Sequence, residues 1–183
     1  MTDFEDVFVI GERDDYAPKV GLLVSMLMNS RHYLLSAIRD LSAAELDAQP
    51  QGANNTIAAL LSHLAAAETM FQAITFHGRR FNEAEQARWE GAFRFEKGNE
   101  PKGRVLESYL QDLEEVRQKT LTELKKRDDN WLETPMTFAG RKANMHYYWF
   151  HYLQDEVRHT GQIILIRKHL LPGSDASFDP YNL

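Results

Sequence analysis

Cysteine is absent from the 183-residue sequence. Disulfides, thiolate metal ligands, iron–sulfur clusters and a cysteine nucleophile are therefore excluded. Positive charge is also not in excess, since 21 lysine and arginine residues stand against 27 aspartate and glutamate residues, which gives a net charge of −6 and an isoelectric point near 5.6. Binding to phosphate backbones needs clustered lysine and arginine side chains. We therefore expect no nucleic-acid partner.

The sequence shows no uninterrupted apolar run of the roughly 20 residues that span a bilayer. Its N-terminus carries Asp3, Glu5 and Asp6 where a signal peptide has positive charge. We expect a cytoplasmic protein without membrane association. The length and the 43% hydrophobic content predict one globular domain over residues 1–183, with residues 1–15 as an irregular acidic N-terminal arm.

Apolar residues recur at spacings of three and four in four segments, which is typical of amphipathic helices. The predicted helices span about 17–41, 55–77, 103–127 and 143–170. Ser42 and Glu45 have the spacing of a capping box, and a second short helix is predicted around Glu83–Trp89. This pattern predicts an all-α four-helix bundle with short extra helices. The connections 42–54 and 79–102 suit crossovers between parallel neighbours.

The fourth predicted helix carries His151, Asp155 and His159 at spacings of four, which places them along one helix face. The second predicted helix contributes His63, which shares an apolar stripe with Leu60. Two histidines and a carboxylate on facing helices of a bundle can hold one divalent metal ion. Imidazole nitrogen and carboxylate oxygen suit Zn, Ni, Fe or Mn.

Each of these residues also has an ordinary structural interpretation. A histidine on an apolar stripe is commonly a core residue with one hydrogen bond. Asp155 can instead pair with Arg158 or Arg31, or face water. Gly161 costs about 1 kcal/mol relative to alanine in a helix, which favours close approach of a helix or ligand there. The spacing of the residues alone leaves both interpretations open.

Glu156 and His159 have the Glu-x-x-His spacing of di-iron carboxylate bundles. Those sites require a second copy of the motif and further glutamates. Leu60 occupies the corresponding position three residues before His63, so this alternative is disfavoured. We expect Glu156 to be solvated and to be the weakest candidate for acid–base chemistry.

Two separate segments resemble the DinB/YfiT-like superfamily of metalloenzymes. Residues 155–162 (Asp-Glu-Val-Arg-His-Thr-Gly-Gln) resemble its fourth-helix signature, in which a metal-binding histidine is followed shortly by Gly-Gln. Residues 60–68 are similar to its second-helix motif, which supplies another histidine ligand. The helix order and the break at 50–52 also match, so the resemblance covers most of 17–170. It implies His63 and His159 as metal ligands.

The sequence departs from that family pattern at Asp155, where a histidine is often found. The resemblance to subgroups with an acid at this position implies a His63, Asp155 and His159 ligand set. Because aspartate is shorter than histidine, His151 is the alternative third ligand. His151 otherwise serves as an outer-shell residue or a catalytic proton carrier.

Known activities of the resembled family include thiol S-transferases that use low-molecular-weight thiols, isomerases and hydrolases. The resemblance therefore implies a metal-dependent enzyme acting on a small-molecule substrate. The alternative is a metal-free dimeric helical protein that serves as a binding or scaffold module without catalysis. Metal analysis of protein purified without a histidine tag distinguishes the two.

We predict a homodimer, as the resemblance also implies. The first predicted helix has apolar residues on more than one face, among them Leu22, Met28 and Leu35. A helix that is apolar around much of its circumference needs cover on two sides. Sedimentation at micromolar concentration should report twice the 21.2 kDa chain mass. A species of the single-chain mass alone contradicts the prediction.

Overall fold

The computed structural model describes residues 7–98 and 101–171, and about two thirds of the described residues are helical. The helices are α1 Pro18–Ile38, α2 Ala43–Asp47, α3 Ile57–His77, α4 Glu83–Arg94, α5 Leu106–Leu124, α6 Asp129–Leu132 and α7 Met145–Leu165. Before α7 comes an antiparallel hairpin of β1 Pro135–Phe138 and β2 Arg141–Asn144. After α7, one π-helical turn spans Ile166–Leu170. The predicted all-α helical bundle is confirmed.

Local capping explains where the helices begin and end. The Thr56 side chain accepts a hydrogen bond from the Ala59 amide at the start of α3, and Gly78 ends that helix with a φ of 62°. The predicted capping box at Ser42 is present. A second capping box, at Asn82, starts α4, which runs five residues beyond the predicted end at Trp89. Helices α1, α5 and α7 are each a few residues shorter than predicted.

The four long helices form a ring in the order α1, α7, α3, α5. Contacts between α1 and α7 advance together along both helices, as do those between α3 and α5, so each of these pairs is parallel. Contacts of α3 with α7, and of α1 with α5, run in opposite directions. The chain therefore crosses over between the parallel neighbours α3 and α5.

This topology tests the prediction that the connections 42–54 and 79–102 join parallel neighbouring helices. The connection after α3, predicted as 79–102, does link parallel neighbours and carries α4. The connection 42–54 links α1 to α3, which run antiparallel, so the prediction of a crossover there was wrong. That segment contains the short helix α2 and connects the end of α1 to the start of α3 at the same end of the bundle.

Helix α3 is the central helix of the bundle. Seventeen of its 21 residues are buried. By length and hydropathy it is apolar enough to cross a membrane, contrary to the expectation from the sequence, but 94% of its apolar window is buried inside the protein. Its apolarity therefore reflects burial on nearly all sides by the other helices. Ala65, Ala66 and Ala67 are at most 2% exposed, so they pack in the core.

A buried ionic cluster joins the four long helices. It consists of Arg31 from α1, Glu68 from α3, Arg117 from α5 and Glu156 from α7. The Arg31 Nε lies 2.7 Å from the Glu156 Oε1, and the Arg117 Nε lies 2.7 Å from the Glu68 Oε1. The Tyr152 hydroxyl donates to Glu68 at 2.8 Å. The cluster is charge-balanced, as buried ions must be to avoid a large desolvation cost.

Both arginines of the cluster also bind backbone across the α1–α5 seam. Arg31 donates to the Leu113 carbonyl oxygen at 2.9 Å, and Arg117 donates to the Leu27 carbonyl oxygen at 2.7 Å. Burial by itself would raise the pKa of Glu68, but the two arginines outweigh it and lower the pKa to about 2. Burial also tends to raise the pKa of Glu156, and the same two arginines keep it below its ordinary value, so both carboxyl groups are ionised at neutral pH.

The described part of the N-terminal arm lies along α1. Val7 is buried, whereas Phe8, Val9 and Ile10 are exposed, and the expected acidic residues 3, 5 and 6 lie outside the described residues. The arm passes so close to α1 that a Cβ atom on Gly21 would lie 2.6 Å from the Arg13 backbone nitrogen. Glycine at this position is required by the close approach of two backbones.

Gly161, in contrast, faces open space. A Cβ atom there would meet nothing within 4 Å. The expectation that a helix or ligand packs closely on Gly161 therefore finds no support within the described residues of the single chain.

The two helical glycines give a matched pair of substitutions. Gly21→Ala should lower the free energy of unfolding by about 1–3 kcal/mol, because the arm must move to admit the methyl group. Gly161→Ala should raise it by up to about 1 kcal/mol, because alanine is the better helix former and nothing obstructs it. Urea denaturation of both variants measures the two values. A Gly21→Ala protein as stable as the wild type would contradict the packing of the arm.

Candidate metal centre

Three of the predicted site residues meet at the seam between α3 and α7. The His63 Nε2 lies 3.4 Å from the Asp155 Oδ2, and the His159 Nε2 lies 3.6 Å from the Asp155 Oδ1. The two imidazole rings are 5.0 Å apart between centroids. All three residues can present one ligand atom within 4.8 Å of the other two. The convergence of these three residues, expected from the helix-face spacing together with the family resemblance, is present in the structure.

The second nitrogen of each histidine has its own partner. The His63 Nδ1 lies 3.2 Å from the Ala92 carbonyl oxygen near the end of α4. The His159 Nδ1 lies 2.9 Å from the Gln162 Oε1, one turn further along α7. Both partners are acceptors, so each Nδ1 can carry a proton and donate it. In that tautomer each Nε2 directs its lone pair toward the centre, as metal-binding histidines do.

Aromatic rings from the connection between α3 and α5 cover one side of the site. Phe95 stacks on the His63 ring at 4.1 Å between centroids, and it also contacts His159. Phe95 ends α4 in a left-handed conformation with a φ of 51°, which is uncommon for a residue with a side chain. Sequence patterns did not indicate Phe95 or Ala92, because both lie in the least regular stretch of the chain.

The electrostatics of the site favour the protonation states that metal ligands need. Burial by itself would raise the pKa of the Asp155 carboxyl group, but the adjacent imidazoles keep it below its ordinary value. Burial lowers the pKa of His159, and the hydrogen bond to Gln162 opposes this only in part. At neutral pH the site therefore contains a carboxylate beside a neutral His159.

The other candidate residues lie elsewhere. His151 is outside the group of converging ligand atoms and stacks among Phe71, Phe138 and Tyr147. The expectation that Glu156 is solvated was wrong, because its side chain is fully buried in the ionic cluster. Adjacent residues on a helix point about 100° apart, so Glu156 faces the interior while Asp155 faces α3. Glu156 is therefore not placed as a di-iron ligand.

Two cavities flank the bundle on different sides. One of about 350 Å³ shares Ala92 and Phe95 with the surroundings of His63, and amide side chains of Gln49, Asn54 and Asn55 line it. The larger one, about 720 Å³, lies between α1 and α5 and reaches Arg31 of the ionic cluster. Of these two cavities the smaller one lies nearer the site, because it shares Ala92 and Phe95 with the surroundings of His63, and it has the size of a small-molecule site.

The tautomers of the two histidines can be tested in the metal-free protein. Long-range ¹H–¹⁵N correlation spectra at neutral pH should show His63 and His159 protonated on Nδ1, because Ala92 and Gln162 offer acceptors there. In Gln162→Leu the preference should be lost at His159 and kept at His63, which serves as the internal control. Protonation of Nε2 on both rings in the wild type would contradict the geometry.

Comparison with known proteins assigns the chain to a family. No individual curated protein matches the sequence. The model of one family, described as mycothiol-S-transferase, matches residues 22–171, which include all four long helices except the first residues of α1. The match also includes the three converging side chains. The chain therefore belongs to the mycothiol-S-transferase family, within the DinB/YfiT-like superfamily of metalloenzymes.

Proposed function

We propose that this protein is a metal-dependent S-transferase that joins a low-molecular-weight thiol to a small electrophilic molecule. The observation that carries the proposal is the convergence of His63, Asp155 and His159 in a chain of the mycothiol-S-transferase family. We place the reaction in the cytoplasm, as expected from the sequence.

The chemistry of the converging atoms supports a divalent ion at this site. With both imidazoles protonated on Nδ1, two nitrogen lone pairs and a carboxylate all face one another. Three acceptors in mutual contact repel one another unless a cation or a proton lies between them. Nitrogen and oxygen ligands suit Zn, Ni, Fe or Mn. We assign His63, His159 and Asp155 as the three protein ligands.

A bound ion would supply Lewis acidity that lowers the pKa of a thiol reaching the site. In the reaction the thiol gives up its proton, and its sulfur forms a bond with an electrophilic carbon. The bond from that carbon to the leaving group breaks, and the leaving group departs with the electron pair. The proton passes to solvent. No oxidant or reductant is required.

The surrounding residues of the chain have defined tasks in this proposal. The Ala92 carbonyl oxygen and the Gln162 side chain hold the histidine protons on Nδ1 and keep both Nε2 atoms free. Phe95 covers His63 and excludes water from one side of the site, which strengthens the electrostatic interactions within it. The 350 Å³ cavity beside Phe95 is the proposed position of the polar part of the substrate.

His151 remains the candidate for a proton carrier. It lies one helical turn before Asp155 on α7 and is half-buried among aromatic rings. If it serves in this way, His151→Ala should lower the rate of transfer while leaving metal affinity at the wild-type value. Weaker metal binding in the same variant would contradict the assignment of Asp155 as the third ligand.

Ligand substitutions test the proposed function. His63→Ala and His159→Ala should each lower affinity for Zn²⁺ by about 100-fold or more, since loss of outer-shell partners alone costs 10–100-fold. Both variants should stay folded, because the leucine core is separate from the site. Asp155→Ala should weaken binding to a similar degree if the carboxylate is a direct ligand. Titration calorimetry of untagged protein measures the affinities.

The control variant is His146→Ala, which removes an exposed histidine from the same helix. Its Zn²⁺ affinity should equal that of the wild type. Transfer is measured with mycothiol and the chromogenic electrophile 1-chloro-2,4-dinitrobenzene, with other low-molecular-weight thiols for comparison. Metal-independent product formation, or none with any thiol, would overturn the proposed activity. Absence of metal binding in the wild type would favour the metal-free binding or scaffold protein.

A further inference from the structure

Beyond the three candidate ligands, the structure contains four buried charged side chains to which the proposed chemistry assigns no part. We infer that the ionic cluster of Arg31, Glu68, Arg117 and Glu156 is the positioning device of the candidate metal centre, which it serves by fixing the rotation of α3 and α7. The inference rests on the proposed function for its purpose. The geometric part can be tested without any metal.

The cluster attaches to the same two helices as the site, at adjacent positions. On α7, Glu156 directly follows Asp155 and precedes His159 by three residues. On α3, Glu68 lies five residues after His63. The side chains of the cluster and of the site point in different directions. Glu156 and Glu68 face the bundle interior, whereas the candidate ligands face the α3–α7 seam. Any rotation of either helix therefore moves a cluster residue and a candidate ligand together.

The required accuracy exceeds what apolar packing provides. A helix with its side chains has a radius of about 5–6 Å, so a rotation of about 20° moves a side-chain tip by about 2 Å. Metal–ligand distances must hold within about 0.2 Å. Leucine and alanine cores accept rearrangements of shape at small cost. Apolar burial alone thus leaves the candidate ligands free to drift apart by more than a metal ion tolerates.

The cluster supplies the missing constraint because its contacts are short and directional. Arg31 donates to Glu156 at 2.7 Å and to Glu68 at 3.0 Å, so one guanidinium ties α7 and α3 to α1. Arg117 ties α5 to Glu68 at 2.7 Å and reaches Glu156 at 3.3 Å. Hydrogen bonds weaken steeply when their angles change. Each carboxylate is held by both arginines, which fixes the direction as well as the distance.

Neighbouring hydroxyl groups fix the two carboxylates further. The Thr120 hydroxyl donates to the Glu68 Oε1 at 2.7 Å, and Thr120 accepts in turn from Gln72 at 2.8 Å. The Ser30 hydroxyl donates to Glu156. Each carboxylate oxygen therefore has a defined partner. These bonds fix the orientation of both carboxylates as well as neutralise their charge.

The test uses charge-balanced double variants. Arg31→Met with Glu156→Gln leaves the Arg117–Glu68 pair intact, so no unpaired charge is buried. Glu68→Gln with Arg117→Met does the reverse and leaves Arg31 with Glu156. The matched control is Lys19→Met with Glu133→Gln, which removes an exposed ion pair of α1. Cooperative thermal unfolding of each protein establishes that it is folded.

The first measurement is made without metal. The His63 and His159 rings, 5.0 Å apart, should give a nuclear Overhauser effect in the wild type and the control. In the cluster variants this effect should be weakened several-fold. The second measurement is the dissociation constant of Co²⁺ followed by its visible absorption. We expect it to rise about 10–100-fold in the cluster variants, the range typical of lost outer-shell support.

The outcomes separate the two proposals. Folded cluster variants with the wild-type Overhauser effect and Co²⁺ affinity would overturn the positioning role. A wild type that binds no Co²⁺ would overturn the proposed function, while the Overhauser effect would still decide the positioning role. If the double variants do not fold, Glu156→Asp preserves the charge balance with a shorter side chain. It should change both measurements in the same direction, and unchanged values would overturn the inference.

Discussion

The requirement to pair four buried charges constrains the whole bundle. Two arginines and two glutamates lie in the interior, where an unpaired ion costs several kcal/mol. The helices α1, α3, α5 and α7 each contribute one of the four charges. None of them can therefore move away without leaving a buried charge unpaired or exposing it to water. The crossed bonds from Arg31 and Arg117 to backbone extend this constraint to the α1–α5 seam.

The candidate metal centre depends on this arrangement. The candidate ligands lie at the seam between α3 and α7. In α7 they adjoin Glu156 of the cluster, and in α3 the ligand lies five residues before Glu68. The contacts of the centre itself are weaker, since three acceptors face one another at 3.4–3.6 Å. The cluster therefore holds the helices in place before an ion binds. Helix α4 completes the site with a carbonyl oxygen for His63 and the ring of Phe95.

Much of this architecture could be predicted from the sequence, and the exceptions have physical causes. Apolar spacing predicted the long helices. The candidate ligands were predicted from helix-face spacing together with the resemblance of two segments to a known family. Glu156 was expected to be solvated because an ionised carboxylate without a partner is far more stable in water than in the protein interior. Its burial depends on Arg31 and Arg117, which are 125 and 39 residues away. Phe95 was not predicted because it lies just after a largely polar helix, in a left-handed conformation, where no regular spacing of apolar residues marks it.

We propose that His63, Asp155 and His159 together hold one divalent ion. Anomalous diffraction at the zinc absorption edge, from crystals grown with Zn²⁺, tests this proposal. We expect one strong peak at the α3–α7 seam, with both Nε2 atoms about 2.0–2.1 Å away and an Asp155 oxygen at about 2.0–2.2 Å. The absence of a peak between the two histidines in the same crystals would show that these residues do not share an ion.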